Sequence, residues 1–291
     1  MTDTTIVVTG ATGNIGSRVV QNLAARPHER IVAFVREPQN AQRLAQAGAK
    51  LQRGAFEDEA SVREAFTGAD SVVLITAGEN LAGQAIAAIH VAREVGVRKV
   101  IRISSGKATI DGPTESTRQH ARADEALRAS GLDFVILRNH SFMQNLLFAV
   151  GSLRHEGKLY SGVGSAKLGL IDARDIADAI AAAAATDAWN GQTLDLTGPA
   201  ALDYGQIAAA ISRELGHEIA YVPVPPAAAG EAAQKHGANA WDARAITEFA
   251  VASSQGWGEY TTDCVEQLTG HLPRSIEDFV HEILAPAVRA G

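Results

Sequence analysis

Ile6-Val7-Val8-Thr9-Gly10-Ala11-Thr12-Gly13-Asn14-Ile15-Gly16 reads as a short apolar strand, a glycine turn and the start of a helix. That order is the setting in which a backbone turn receives the pyrophosphate of a dinucleotide. Each glycine has a physical task. Gly10 permits the tight turn after the strand, Gly13 lets the backbone approach a phosphate, and Gly16 lets the helix pack closely on the sheet. Thr12, Asn14 and Ile15 fall in the turn and the first helical turn, where amides without intrahelical partners can donate to an anion.

Outward from this turn, strand and helix patterns alternate. Strands are expected at residues 31–35, 50–53, 71–76, 99–104 and 133–138, with helices at 60–66, 81–95 and 119–129 between them. Glycines at 48, 68, 96 and 131 stop the helices. The rhythm predicts an α/β fold with a doubly wound, Rossmann-type parallel sheet, whose ligands sit beyond the carboxyl ends of the strands. After about residue 150 it loosens. A helix is expected over 172–186, a strand over 192–197, a helix over 203–215 and a strand over 219–224. Helices follow at 227–236, 241–253 and 275–284. The domain expectation is a dinucleotide-binding domain over 1–150 and a smaller, mainly helical substrate-binding region over 151–291. Strands at 170 and 192–197 would return to the main sheet.

The composition narrows the classes. The chain has 291 residues, 46% of them hydrophobic, enough for a sizeable core. A net charge of −7 argues against a general nucleic-acid surface. The single cysteine, Cys264, rules out an internal disulfide framework and reads as a small core hydrophobe. The first strand starts within a few residues of Met1, and the most aliphatic run, Ile176–Ala185, is short and broken by Asp178. The expectation is therefore a cytoplasmic protein without a leader or membrane span. None of the nine histidines forms an HxxxH or HExxH pair, so no metal is expected.

Three further segments shape the cofactor expectation. A carboxylate at the end of the second strand would bind the ribose 2′-hydroxyl of NAD(H), but Arg36 stands there, suited to a 2′-phosphate. NADP(H) is expected over NAD(H). Phe56 and Asp58 follow the third strand, Asp58 either accepting from the adenine amino group or capping the next helix. Thr76, Ala77 and Gly78 follow the fourth strand, on the ribose side. Asp172 and Asp175 read as structural, with Asp175 capping a helix and Asp172 pairing with Arg174.

TGATGNIG (Thr9–Gly16), Arg36, Ile103-Ser104-Ser105, LRNHSFMQN (Leu137–Asn145), LIDARDIADAI (Leu170–Ile180) and the tail Leu268–Phe279 together resemble one family. This is the atypical short-chain dehydrogenase/reductase group, which includes NmrA-like proteins and NADPH-dependent quinone, azo-dye and triphenylmethane reductases. The YxxxK pair of ordinary short-chain dehydrogenases is replaced by Ser116 and His120. The resemblance implies hydride transfer, without flavin or metal, to a quinone-like or other conjugated small molecule that needs no strong proton donor. His120 falls where isoflavone-reductase-like relatives carry an active-site lysine. It and Ser104 are the candidate catalytic groups. Asn139, Phe142, Met143 and Asn145 are the candidate substrate wall, Asn139 replacing a proline common in the family. Two other readings stay open: an NmrA-like NADP(H) sensor without catalysis, and a biosynthetic imine or ene reductase. A long exposed helix is compatible with a homodimer.

Overall fold

A computed structural model of the protein describes residues 4–290. Its strands are β1 (Thr4–Val8), β2 (Glu29–Val35), β3 (Lys50–Arg53), β4 (Ser71–Leu74), β5 (Lys99–Ser105), β6 (Asp133–Asn139), β7 (Lys158–Ser161), β8 (Gln192–Leu196) and β9 (Ala220–Pro223). The helices that matter below are α1 (Asn14–Ala24), α2 (Gln42–Gln46), α3 (Glu59–Phe66), α4 (Leu81–Glu94), α5 (Glu115–Arg128), α6 (Val150–Glu156) and α7 (Ala173–Ala184). The chain divides into two units. Residues up to 111, with 117–138 and 176–195, form the first; 112–116, 139–175 and 196 onward form the second.

The first unit holds the seven-stranded sheet, ordered β3-β2-β1-β4-β5-β6-β8. β1 pairs in parallel with β2 and β4, and β2–β3 and β4–β5 are parallel as well. This is the doubly wound α/β arrangement expected from the sequence. The order reverses between β1 and β4, so the carboxyl ends of these two strands flank the switch point where such sheets bind ligands. All four residues of β4 are buried, as a central strand covered on both faces requires. On α1, Ile15, Val19, Val20 and Leu23 form one buried stripe, while Thr12, Gly13 and Asn14 are exposed at its start. Val7, Phe66, Val72, Leu74, Ile89, Val100, Leu127 and Ile136 belong to one hydrophobic core. Lys99, 1% exposed, donates from Nζ to the carbonyls of Ala183 (2.8 Å) and Thr186 (2.7 Å), where a helix end favours a cation.

The second unit has its own core, including Leu146, Leu153, Leu159, Ile207, Ile211, Phe279 and Leu284. β7 and β9 pair in parallel as a separate two-stranded sheet. β7 is not evident in the sequence pattern. Near residue 170 the extended chain makes two isolated bridges, Phe142 to Ile171 and Leu168 to Leu202, instead of the strand expected to join the main sheet, whereas β8 does stand at the edge of the seven-stranded sheet. Among the described residues, no helix is long and apolar enough to cross a membrane.

Two local readings are corrected. The N-terminal cap of α7 is Asp172, whose Oδ1 accepts from the Arg174 amide at 2.8 Å; Asp175 lies inside the first turn. The expected Asp172–Arg174 pair is present at 2.7 Å. Asp175 instead accepts from the Arg274 amide (2.8 Å) and guanidinium, and burial raises its pKa above the ordinary value. The difference is less than one turn of helix: α7 begins at Ala173, so the residue before it caps and the residue three places on cannot. Cys264 is half-buried at the start of a short helix, Cys264–Thr269, rather than in the core.

Candidate active site

The carboxyl edge of the first unit begins at Gly10. Its φ is +57°, a left-handed conformation that glycine adopts without strain. The amide of Gly13 closes back on the carbonyl of Gly10 at 3.0 Å. A Cβ on Gly16 would sit 2.2 Å from the Gly10 carbonyl oxygen, so Gly16 is required by the turn folding over its own helix start, rather than by the sheet expected to contact it. Among the described residues, no side chain caps α1. The amides of its first turn therefore face outward without a protein acceptor from the capping position, which is the arrangement an anionic pyrophosphate would complete.

Thr9 is a residue that sequence reasoning passed over. It is fully buried, and its hydroxyl accepts from the Ile75 amide (2.8 Å) while lying 3.2 and 3.1 Å from the carbonyl oxygens of Val73 and Ile75. With the Thr9 amide on the Val73 carbonyl (3.0 Å), it fastens the glycine turn to the end of β4. The chain beyond β4 then passes through Thr76, which is buried, Ala77, which is exposed, and Gly78, whose φ is +89°. Gln119 ties this loop onward to α5. Its Oε1 accepts from the Ala82 amide (3.1 Å), and its Nε2 donates to the Glu79 carbonyl (2.8 Å). Glycine turn, β4 loop and α5 thus form one bonded rim.

Arg36 lies just beyond β2 with its side chain 71% exposed. Its Nη2 is 3.6 Å from Glu57 Oε1, an oxygen that also accepts from Gln84 at 3.0 Å. An exposed pair of this kind contributes about 0–1 kcal/mol, so Arg36 can exchange Glu57 for a phosphate at little cost. Glu37 does not compete, because its carboxylate takes Asn40. Asp58 caps α3, with Oδ1 accepting from the Ala60 (3.1 Å) and Ser61 (3.4 Å) amides. Phe56 packs edge-on against Phe34, ring centres 6.0 Å apart.

Ser104 and His120 belong to a buried polar cluster. Arg102 and Asp124 are both fully buried, and Arg102 Nη1 donates to Asp124 Oδ1 at 2.8 Å. The other carboxylate oxygen of Asp124 accepts from Ser104 Oγ (3.0 Å) and Arg138 Nε (3.0 Å). Arg102 Nη2 stands 3.3 Å from Nδ1 of His120. Burial pushes the Arg102 pKa down to about 10, against the attraction of Asp124. Burial, followed by the charges of Arg102 and Arg138, pushes His120 well below the ordinary histidine range. His120 is thus a half-buried group in a network, not a free surface histidine. Ser116 lies one turn earlier on α5, also half-buried. The signals for the cluster were an arginine inside the apolar run Val100–Ile103 and an acid among Ala121, Ala123 and Leu127.

The four candidate substrate residues fall in the second unit. Asn139 closes β6 and is 9% exposed; its Oδ1 is buried without a hydrogen-bond partner among the described residues. Phe142 is half-buried beside Ile171. Met143 is buried, its amide donating to the Ile171 carbonyl at 2.9 Å. With Leu168, Leu170, Leu202 and Ile276 it lines a cavity of about 250 Å³ within this unit. Asn145 is exposed and donates to Ser141 Oγ at 3.2 Å.

The chain resembles known proteins along nearly its whole length. NAD(P)H azoreductase of Xenophilus azovorans is 29% identical over 277 residues, covering 94% of this chain and 96% of that protein. Quinone oxidoreductase 2 of Escherichia coli is 27% identical over 281 residues, covering 96% and 98%. The crystal structure of the NADPH-dependent quinone oxidoreductase of Escherichia coli complexed with NADPH superposes with a TM-score of 0.87 at 26% identity, covering 96% of this chain and 99% of that one. The resemblance to the atypical short-chain dehydrogenase/reductase group holds across the chain. A model of the NAD(P)H-binding family matches residues 10–187, beginning at the glycine turn, and the chain belongs to that family.

Proposed function

We propose that the protein is an NADPH-dependent oxidoreductase that delivers hydride to a quinone-like or other conjugated acceptor. The observation that carries this reading is the state of the polar groups on β5 and α5. Asp124 is fully engaged by two arginines and a serine, and His120 is held neutral. No strong acid stands where a tyrosine would serve an ordinary ketone reductase. Such a site suits an acceptor whose reduced form is already stabilised, and chiefly positions it. Two relatives that span nearly the whole chain are named as a quinone oxidoreductase and an azoreductase, which supports the same acceptor class.

When bound, the dihydronicotinamide supplies the hydride. The chain's own residues supply the rest. The amides of α1 hold the pyrophosphate, with Gly10, Gly13 and Gly16 keeping the approach open. Arg36 turns from Glu57 to the 2′-phosphate and selects NADP(H) over NAD(H). Phe56 and Asp58 border the adenine, and Thr76, Ala77 and Gly78 border the ribose. Phe142 and Met143 offer an apolar wall, with Asn139 beside them at the end of β6. Residues 1–150 would then carry the cofactor together with Asn139, Phe142 and Met143, and 151–291 the remaining substrate contacts.

The test is NADPH consumption against a panel of quinones and azo and triarylmethane dyes, with NADH run in parallel. Stoichiometric oxidation with at least one acceptor, faster with NADPH, is expected. Tight NADPH binding with no turnover on any acceptor overturns the reading and favours a sensor.

A further inference from the structure

We propose that Arg102 fixes His120 as the neutral tautomer protonated on Nε2, and that this permanent N–H donor is what α5 offers to a bound acceptor. The second half rests on the oxidoreductase reading above; the first does not. A guanidinium has five N–H donors and no acceptor, so at 3.3 Å from Arg102 Nη2 the Nδ1 atom of His120 must present its lone pair. The proton of the neutral ring therefore sits on Nε2.

The arrangement is rigid because Arg102 is held from the other side. Its Nη1 donates to Asp124 Oδ1 at 2.8 Å and to the carbonyl of Ile103 at 3.0 Å. Asp124 is in turn fixed by Ser104 and Arg138. Turning Arg102 away from His120 would take a fully buried guanidinium off its carboxylate. The charged groups that act on His120 are Arg102 from β5 and Arg138 from β6, both of them bonded to Asp124 on its own helix. Two guanidinium groups against one carboxylate leave the surroundings net positive, which opposes a second ring proton.

Two roles follow. Arg102, Asp124 and Arg138 are positioning residues, acting on the acceptor only through His120. Ser104 joins them, because its hydroxyl proton is already given to Asp124. On α5, Asp124 lies one turn beyond His120, so the network runs from the middle of the sheet toward the helix start, where the loops of the rim meet.

The experiment is long-range proton–nitrogen NMR of nitrogen-labelled histidine in the full-length protein, with and without saturating NADPH. The His120 signal is the one lost in His120→Gln. An Nε2–H pattern unchanged from about pH 5.5 to 8.5 is expected, whereas Arg102→Gln should bring a His120 titration up toward the ordinary value of about 6.5. A wild-type His120 that titrates within that window, or that carries its proton on Nδ1, overturns the proposal. In acceptor turnover, His120→Phe should lower kcat/KM by about three- to tenfold, the scale of one neutral hydrogen bond, and His120→Gln, which keeps a neutral N–H, by less. A profile limb near pH 6.5 that disappears in His120→Gln would also overturn it. Absence of turnover with every acceptor counts against the oxidoreductase reading alone, since the NMR pattern decides the tautomer independently.

Discussion

Arg102 and Asp124 form a 2.8 Å ion pair with both side chains at 0% exposure, between the middle of β5 and the middle of α5. Removing one partner of such a pair leaves an uncompensated charge in the interior. Asp124→Asn should therefore destabilise the fold by about 3–5 kcal/mol, read as a lowered urea midpoint. A loss below about 1 kcal/mol would mean that water reaches the pair and that the network is not dry.

Arg36 is exposed, and among the described residues it pairs with Glu57 at 3.6 Å. Arg36→Ala should weaken NADPH binding by about 10- to 100-fold, the scale of charged hydrogen bonds to a phosphate, and leave NADH affinity within about twofold. Calorimetric titration with both nucleotides measures this. Equal weakening of both would remove Arg36 from the 2′-phosphate role.

Gly16→Ala inverts the usual sign of a helical substitution. In an open helix position alanine stabilises by about 0.5–1 kcal/mol relative to glycine. Gly151 on α6, where an added methyl would have nothing within 4 Å, should behave that way. At Gly16 the methyl meets the Gly10 carbonyl oxygen at 2.2 Å. Destabilisation of about 1–3 kcal/mol is expected, with nucleotide affinity reduced at least about tenfold as the turn shifts. Thermal melts of the two variants, with and without NADPH, separate the cases.

The depressed His120 pKa carries a pH signature in stability. Below the unfolded value of about 6.5, the unfolded chain binds a proton that the folded ring refuses, so stability falls as the pH falls. The slope from one group is at most about 1.4 kcal/mol per pH unit, and it vanishes above about pH 7. Asp172, held below the ordinary carboxylate range by Arg174 and Gln144 despite its burial, acts in the same direction but only at lower pH. Urea midpoints of wild type and His120→Gln should therefore coincide at neutral pH and diverge between about pH 6.5 and 5, wild type losing more. Parallel curves would show that His120 titrates normally.

The strands of the main sheet were legible because burial on both faces forces unbroken apolar runs, as in Ser71–Leu74 and Val135–Leu137. The glycine turn was legible because its conformations exclude other residues. What escaped were interactions between residues distant in sequence. β7 is four residues long, has one buried side chain, and pairs with a strand some sixty positions later. Asp124 and Arg102 sit 22 positions apart, and charged residues on a helix and a strand ordinarily read as surface. Thr9 looks like any threonine before a turn until Ile75 is seen beside it. The exchange of Asp175 for Asp172 as the α7 cap shows the smaller error, one of boundary rather than kind.

The uncapped start of α1 reaches beyond the chemistry at the nicotinamide. A helix that begins without a side-chain acceptor leaves part of its folding free energy to be completed by a visitor. A ligand that binds only the folded form adds RT ln(1 + [L]/Kd), about 2.7 kcal/mol at a hundredfold excess over Kd. The persistence of this protein in a cell would then follow the size of the nucleotide pool that can fill this turn, and depletion of that pool would thin out the protein before it idled it.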